Sequence, residues 1–245
     1  MDLLIRLYTF SIILSYISCI MSLKILVTGA NRGIGLELTK LLASKGHCVY
    51  ATCRSSNEEL NKIPLNGGSV ITNIDVANDD TTEKLSSFFK DISIDYCINN
   101  AGILSEEGID DMNYERIRKQ FEINTLGPLR VYQGLSSSLK SGSKIFIITS
   151  RMGSVADNTS GNMYGYRISK AAVNMVGKTL AVDLQGKGII VQLLHPGMVA
   201  TDMTKKWGGG ISTTESATGL IARMEQATMS TTGKFFHMNG EELPW

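Results

Sequence analysis

Seven short runs of apolar and β-branched residues recur along the chain, at 24–28, 48–52, 70–74, 96–99, 144–149, 189–194 and 234–238. Runs of this length suit buried strands and are too short for buried helices. Between the first two, Ile34, Leu38, Leu41 and Leu42 stand at i, i+4, i+7 and i+8, which gathers them on one face of a helix. The longer stretches 112–139 and 163–184 have room for helices of several turns. Strand followed by helix, repeated, calls for parallel strands joined by right-handed crossovers with helices on both faces. The pattern therefore predicts a single doubly wound α/β domain of Rossmann type around a mostly parallel seven-stranded sheet. No internal repeat or low-complexity tract interrupts it, and the glycine run 208–210 reads as a loop.

Composition agrees with one domain: 245 residues at 43% hydrophobic and 19% charged are enough for one substantial core. A formal charge of +1, with acids and bases interspersed, argues against a nucleic-acid partner. Cys19, Cys48, Cys53 and Cys97 lie in or beside apolar runs without CxxC or Cys/His spacing. They read as buried thiols of a reducing, cytoplasmic protein, with no metal site. Residues 1–20 are set apart by being apolar, interrupted mainly by Asp2 and Arg6. The segment is short for a membrane span, its basic region is a lone arginine, and Ser18 and Ile20 make a poor cleavage site. Because Met21 directly precedes the first strand, we read 1–20 as an extension outside a domain at 21–245. An anchor or a signal peptide is the alternative, and membrane contact follows only if the segment belongs to the mature protein.

In such a sheet, function belongs at the carboxyl ends of the strands. The first strand ends in residues 28–35, TGANRGIG. Gly29, Gly33 and Gly35 permit a tight strand-to-helix turn and a close approach of a pyrophosphate to the backbone, with Asn31, Arg32 and Ile34 between them. The spacing is neither GxGxxG nor a Walker loop.

The pattern TGxxxGxG resembles the cofactor signature of the classical short-chain dehydrogenase/reductase family. Residues 99–102 read NNAG, 166–170 read YRISK and 196–201 read PGMVAT, each similar to a family motif and in the family's order. The likeness extends over 21–245. Residues 150–154 and the ending 243–245 resemble the branch holding carbonyl reductases of the sniffer type and bacterial C-factor proteins. The resemblance implies a cofactor site that includes Asn100, Ala101 and Gly102 after the fourth strand, Pro196, Gly197, Val199 and Thr201 after the sixth, and Asp75 at the adenine. It also implies that Lys170 bonds the nicotinamide ribose, and that Asn124 completes a tetrad through a water-linked proton path to Lys170. A strand-end aspartate such as Asp75 is otherwise read as a helix cap.

Residue chemistry leads to the same site. Tyr166 and Lys170 share one helix face, and a nearby ammonium together with the charge of an oxidised nicotinamide should lower a phenol's pKa, making Tyr166 a proton donor in reduction or an acceptor in oxidation. Ser150 closes the fifth run, so its hydroxyl should face the cleft and polarise a carbonyl. Ser154 competes, because its distance from Tyr166 is the family's usual one, but strand-end position favours Ser150. A mid-helix asparagine is unfavourable without a local purpose, which singles out Asn124.

The second run ends without an acidic residue; Arg54 follows it, and Arg32 lies in the glycine loop. Two guanidiniums converging on a 2′-phosphate make NADP(H) the expected cofactor over NAD(H). The short, glycine-rich stretch after Thr201 predicts an open, mobile, permissive site without a helical lid, suited to reactive aldehydes, ketones or quinones as substrates. Association into a homo-oligomer stays open. The function expected is an NADP(H)-dependent oxidoreductase. A non-catalytic NADP-binding signalling or scaffold protein is the main alternative, and an epimerase or dehydratase the lesser one.

Overall fold

The structure is a computed structural model and describes residues 22–245, so the readings of 1–20, including Cys19, and of Met21 lie outside the described residues. Seven strands form one sheet: β1 Lys24–Thr28, β2 Cys48–Thr52, β3 Ser69–Ile71, β4 Ile94–Asn99, β5 Leu139–Ile148, β6 Ile190–His195 and β7 Phe235–His237. Their order is β3-β2-β1-β4-β5-β6-β7, and every neighbouring pair is parallel. Six helices of eight residues or more join them: α1 Gly33–Ser44, α2 Asp80–Phe88, α3 Tyr114–Phe121, α4 Gly127–Leu135, α5 Tyr164–Leu184 and α6 Thr213–Gln226.

Strand alternation divides the core into two layers. Ile25 and Val27 of β1, with Phe146 and Ile148 of β5, pack on Leu38 and Leu42 of α1 and on Leu220 and Met224 of α6. Leu26, Ile145 and Ile147 face the other way, onto Leu85 of α2, Val131 of α4 and Val173 and Leu180 of α5. The four α1 residues picked out by periodicity all join the first layer, Leu38 and Leu42 fully buried and Ile34 and Leu41 partly. Cys48, Cys53 and Cys97 are buried free thiols. Among the described residues, no helix is long and apolar enough to cross a membrane, and no three His, Cys, Asp or Glu side chains gather as a metal site requires.

The structure revises several element boundaries: β4 begins at Ile94 rather than residue 96, and β5 begins at Leu139 rather than residue 144, at the end of the stretch read as helical. The third strand stops at Ile71 rather than residue 74, because Asn73 turns left-handed at φ 60°. The stretch 112–139 is not continuous α-helix; residues Glu122–Leu126 between α3 and α4 form a π-helical turn. The strand order reverses between β1 and β4, so the carboxyl ends of these two strands open the crevice where such sheets bind ligands.

Candidate active site

The glycine loop is built against the end of β4. Gly29 has φ 64°, and a Cβ on it would stand 2.9 Å from Ala101 Cα. A Cβ on Gly35 would fall 2.3 Å from Gly29 O and 2.4 Å from Asn100 Nδ2, so glycine is required for the turn to close. Asn100 locks it by donating to Thr28 O at 3.0 Å and to Gly29 O at 3.2 Å. Thr28 returns the contact: its buried Oγ1 accepts from the amides of Asn100 and Ala101, both at 3.0 Å. Sequence reasoning used Thr28 only as a strand end. A hydroxyl at the last position of β1, opposite an Asn-Asn pair, was the available signal.

No side chain caps α1 at Arg32, which leaves the first-turn amides beside Gly33 and Ile34 for an anion. Asn31 Nδ2 donates to Ser55 O at 3.0 Å, and Asn57 Nδ2 donates to Asn31 O at 2.6 Å. These bonds pull the glycine loop and the loop after β2 together, with Arg32 and Arg54 each one residue from the contact. Both guanidiniums are exposed, and neither has an ion-pair partner among the described residues. A cradle of glycines, an uncapped helix and two uncommitted arginines fit a phosphorylated dinucleotide. Asp75 sits beyond β3, with Oδ1 accepting from Ala77 N at 3.1 Å; α2 begins five residues later, so Asp75 closes a local turn and is not that helix's cap.

On the other side of the crevice, β5 ends at Ile148, and Ser150 caps the short turn Arg151–Gly153, its Oγ accepting from Met152 N at 3.2 Å. Tyr166 lies in the first turn of α5 and Lys170 in the next, as the i, i+4 spacing requires. Lys170 is buried, donates from Nζ to Ile148 O at 3.0 Å and stands 5.7 Å from the centre of the Tyr166 ring. Burial lowers its pKa to about 8. The same burial raises the Tyr166 phenol to about 12, and hydrogen bonding with Ser150 draws it back only in part. In the free protein, desolvation of the ring's hydroxyl sets the direction of the shift; the lowering expected from Lys170 is tied to the charge of an oxidised nicotinamide beside it.

Ser154 is committed elsewhere: it donates to Trp245 O at 3.0 Å and accepts from Asp157 N at 3.1 Å. Asn124 lies in the π-helical turn, where its amide accepts from Ile103 N and donates to Ile103 O, both at 2.9 Å. It also donates to Ser169 Oγ at 3.0 Å, and Ser169 passes the link to Tyr166 O at 2.8 Å. Ser169 was overlooked in the sequence, although a serine directly before the motif lysine and three residues after the tyrosine was a usable signal. A Cβ on Gly102 would stand 3.2 Å from Asn124 Oδ1 and 3.8 Å from Lys170 Nζ, so glycine keeps the space between them open.

After β6, residues 196–211 make a compact loop whose ends are tied where Ile211 N donates to Met198 O and Ala200 N to Ile211 O, both at 2.9 Å. Val199 is buried, Thr201 lies against Gly33, and Ser216 Oγ donates to Pro196 O at 2.7 Å. Gly197 is left-handed at φ 83°. The loop contains one short turn, Lys205–Trp207, and no longer helix. Lys206 Nζ meets Glu106 across the mouth at 2.5 Å, joining this loop to the one after β4. At the end of β6, burial, followed by the nearby His237, Arg151 and Lys170, holds His195 down at a pKa of about 3.

Comparison with known proteins follows this geometry. The profile of the short chain dehydrogenase family matches residues 23–211. The chain is 41% identical over 226 residues to 1-hydroxy-2-glutathionyl-2-methyl-3-butene dehydrogenase of Rhodococcus sp. (strain AD45), covering 90% of this chain and 99% of the relative. It superposes on an NADPH-bound carbonyl reductase from chicken fatty liver with a TM-score of 0.83 and 26% identity, over 92% of this chain and all of the other. The carbonyl reductase Sniffer of D. melanogaster gives a TM-score of 0.83 and 28% identity over the same shares. The chain belongs to the short-chain dehydrogenase family, on the side of its carbonyl reductases.

Proposed function

We propose that this short-chain, NADP(H)-dependent oxidoreductase works as a carbonyl reductase in which Tyr166 is the proton donor. The observation that carries the reading is the meeting of buried Ser150 and Lys170 with half-buried Tyr166 in one corner beside the glycine cradle. The 28–35 loop, Asn100, Gly102 and the Arg32/Arg54 pair would hold NADPH, which would supply the hydride. Ser150 orients the substrate oxygen and donates a hydrogen bond to it as negative charge develops there. Tyr166 then delivers its hydroxyl proton to that oxygen. A phenol raised to about 12 is fully protonated at neutral pH, which suits an acid in the reducing direction better than a base. Lys170, charged below about pH 8, stabilises the phenolate left behind. Asn124 and Ser169 hold the backbone of the same helical turn.

The loop after Thr201 borders the substrate with an exposed glycine run and no helix above it, which favours varied and bulky carbonyl compounds. Because the Rhodococcus relative is named for a glutathionyl alcohol, glutathione-bearing alcohols and aldehydes belong in the substrate panel beside simple aldehydes, ketones and quinones. Tyr166→Phe is the direct test: kcat for NADPH-dependent reduction should fall by about 10²–10⁴-fold while the NADPH Kd holds. Near-normal turnover in that variant would move the acid elsewhere. Tight NADPH binding by the unsubstituted protein, with no turnover across the panel, would favour a binding protein on the same fold.

A further inference from the structure

The helix that presents Tyr166 has no cap of its own. Met163 at its N-cap is left-handed at φ 57°, as is Asn162 at φ 55°, and no local side chain bonds the first-turn amides. The cap comes instead from the loop after β4. Glu107 Oε2 accepts from Gly165 N at 3.2 Å, and Glu107 O accepts from Met163 N at 2.9 Å.

This carboxylate is 1% exposed and has no ion-pair partner among the described residues. It is held by hydrogen bonds alone. Ser105 Oγ donates to Oε1 at 2.6 Å, and Gln120 Nε2 in α3 reaches Oε1 at 3.3 Å and Oε2 at 3.2 Å. Gln120 is itself fixed, its Oε1 accepting from Ser105 N at 3.0 Å. The positive end of α5 completes the compensation. The fit against the backbone is close: a Cβ on Gly165 would fall 2.3 Å from Gln120 Nε2 and 2.9 Å from Glu107 Oε2. Gly165 directly precedes Tyr166, so any movement of the carboxylate is transmitted to the peptide that carries the tyrosine. An ordinary cap needs only a local serine or aspartate. A carboxylate brought from the loop after β4 instead ties the start of α5 to that loop and, through Gln120, to α3.

We propose that Glu107 is the positioning residue for Tyr166, pinning the first turn of α5 so that the phenol meets Ser150 and Lys170. The inference rests on the reading of Tyr166 as the proton donor. Ser169 holds the same turn from the opposite end through Tyr166 O, which leaves the tyrosine between two fixed points.

Glu107→Gln tests it, because the shape is kept while one oxygen remains to accept from Gly165 N, Ser105 Oγ and Gln120 Nε2, which two oxygens serve in the natural protein, and an NH2 donor takes the other place. The NADPH Kd and carbonyl KM should stay within about twofold, while kcat falls roughly 10- to 100-fold and its pH profile shifts, as misplacement of a reacting group produces. Adding Gln120→Glu restores the donor–acceptor match in the opposite sense and should recover kcat to within about threefold. A folded Glu107→Gln protein with kcat and pH profile unchanged overturns the proposal. If that variant does not fold, Glu107→Asp takes its place: it keeps the charge, withdraws it by one methylene and carries the same expected and overturning results. Tyr166→Phe separates the two claims. If Tyr166→Phe stays active, the proton-donor reading fails; if it is dead while Glu107→Gln is normal, the positioning role alone fails.

Discussion

Burying Lys170 lowers its pKa from 10.5 to about 8, which makes the residue a liability to folding wherever it is charged. Below pH 8 the folded chain carries the full penalty, and it fades between pH 8 and 10.5, where the unfolded chain still holds a proton that the folded chain has released. At pH 7 that is worth up to about 3 kcal/mol. Lys170→Met should therefore unfold at higher urea than the natural protein at pH 7, less the loss of the bond to Ile148 O, and the advantage should vanish near pH 10.5, while reductase activity is lost. Equal or lower stability at pH 7 would show that the ammonium is better solvated than its burial implies. The two serines can be separated at the same scale. Ser150→Ala should lower kcat by about 10²-fold. Ser154→Ala should leave kcat nearly intact and cost about 1 kcal/mol of stability through its lost bond to Trp245 O. Sequence position alone chose between them, since a strand end fixes geometry while the loop 157–161 changes only the count. The direction of the Tyr166 shift was beyond the sequence, because desolvation depends on what packs over the hydroxyl, and residue spacing carries no record of that.

The strands were legible as elements because most carry a short apolar run, which in the central strands β1, β4, β5 and β6 is buried on both faces by crossover helices. Their exact ends were not: Asn73 adopts a left-handed turn inside an apolar run and stops β3 early, and a propensity pattern does not register one such residue. The π-helical turn at Glu122–Leu126 was likewise hidden inside a helical period. It exists where Asn124 turns its amide onto Ile103 and Ser169, contacts supplied by two other elements. Glu107 escaped notice for the same reason, as an acidic pair in a polar loop looks like solvated surface until α3 and α5 close over it. The end of β2 was more informative, since the absence of an acid and the presence of Arg54 are direct statements about charge. Arg54→Asp should raise the KM for NADPH tenfold or more and change that for NADH much less, because a carboxylate repels a 2′-phosphate and can accept from ribose hydroxyls. An unchanged preference would assign the phosphate to Arg32 alone.

At the scale of the whole molecule, the alternating pattern placed function at the carboxyl ends of a parallel sheet, while the strand order that puts the crevice between β1 and β4 came from the structure, because connection rules narrow the topologies without choosing one. The closing of the carboxyl-terminal segment onto the active-site edge was not legible in the sequence either. Leu243 N donates to Phe235 O at 2.8 Å, Trp245 stacks on Phe235 at 5.7 Å, and Arg151 donates to both oxygens of Glu241 at 2.9 Å. His195 lies beneath this corner with Nδ1 buried and unpartnered among the described residues, its ring 5.0 Å from that of His237. Its pKa of about 3, against 6.5 for a free imidazole, makes it a point of acid failure for the assembly. Above pH 6.5 both folded and unfolded chains hold it neutral, and its titration contributes nothing to stability. As the pH falls, the unfolded chain takes up a proton that the folded chain refuses, and stability drops by about 2 kcal/mol at pH 5 and by more toward pH 3. His195→Gln removes the titration and keeps a polar side chain, so the decline in unfolding free energy between pH 7 and pH 5 should shrink by about that amount. Urea titrations of both proteins at the two pH values measure it. If the decline is the same in both, the acid sensitivity lies in carboxylates elsewhere, and His195 is free to charge within the folded protein.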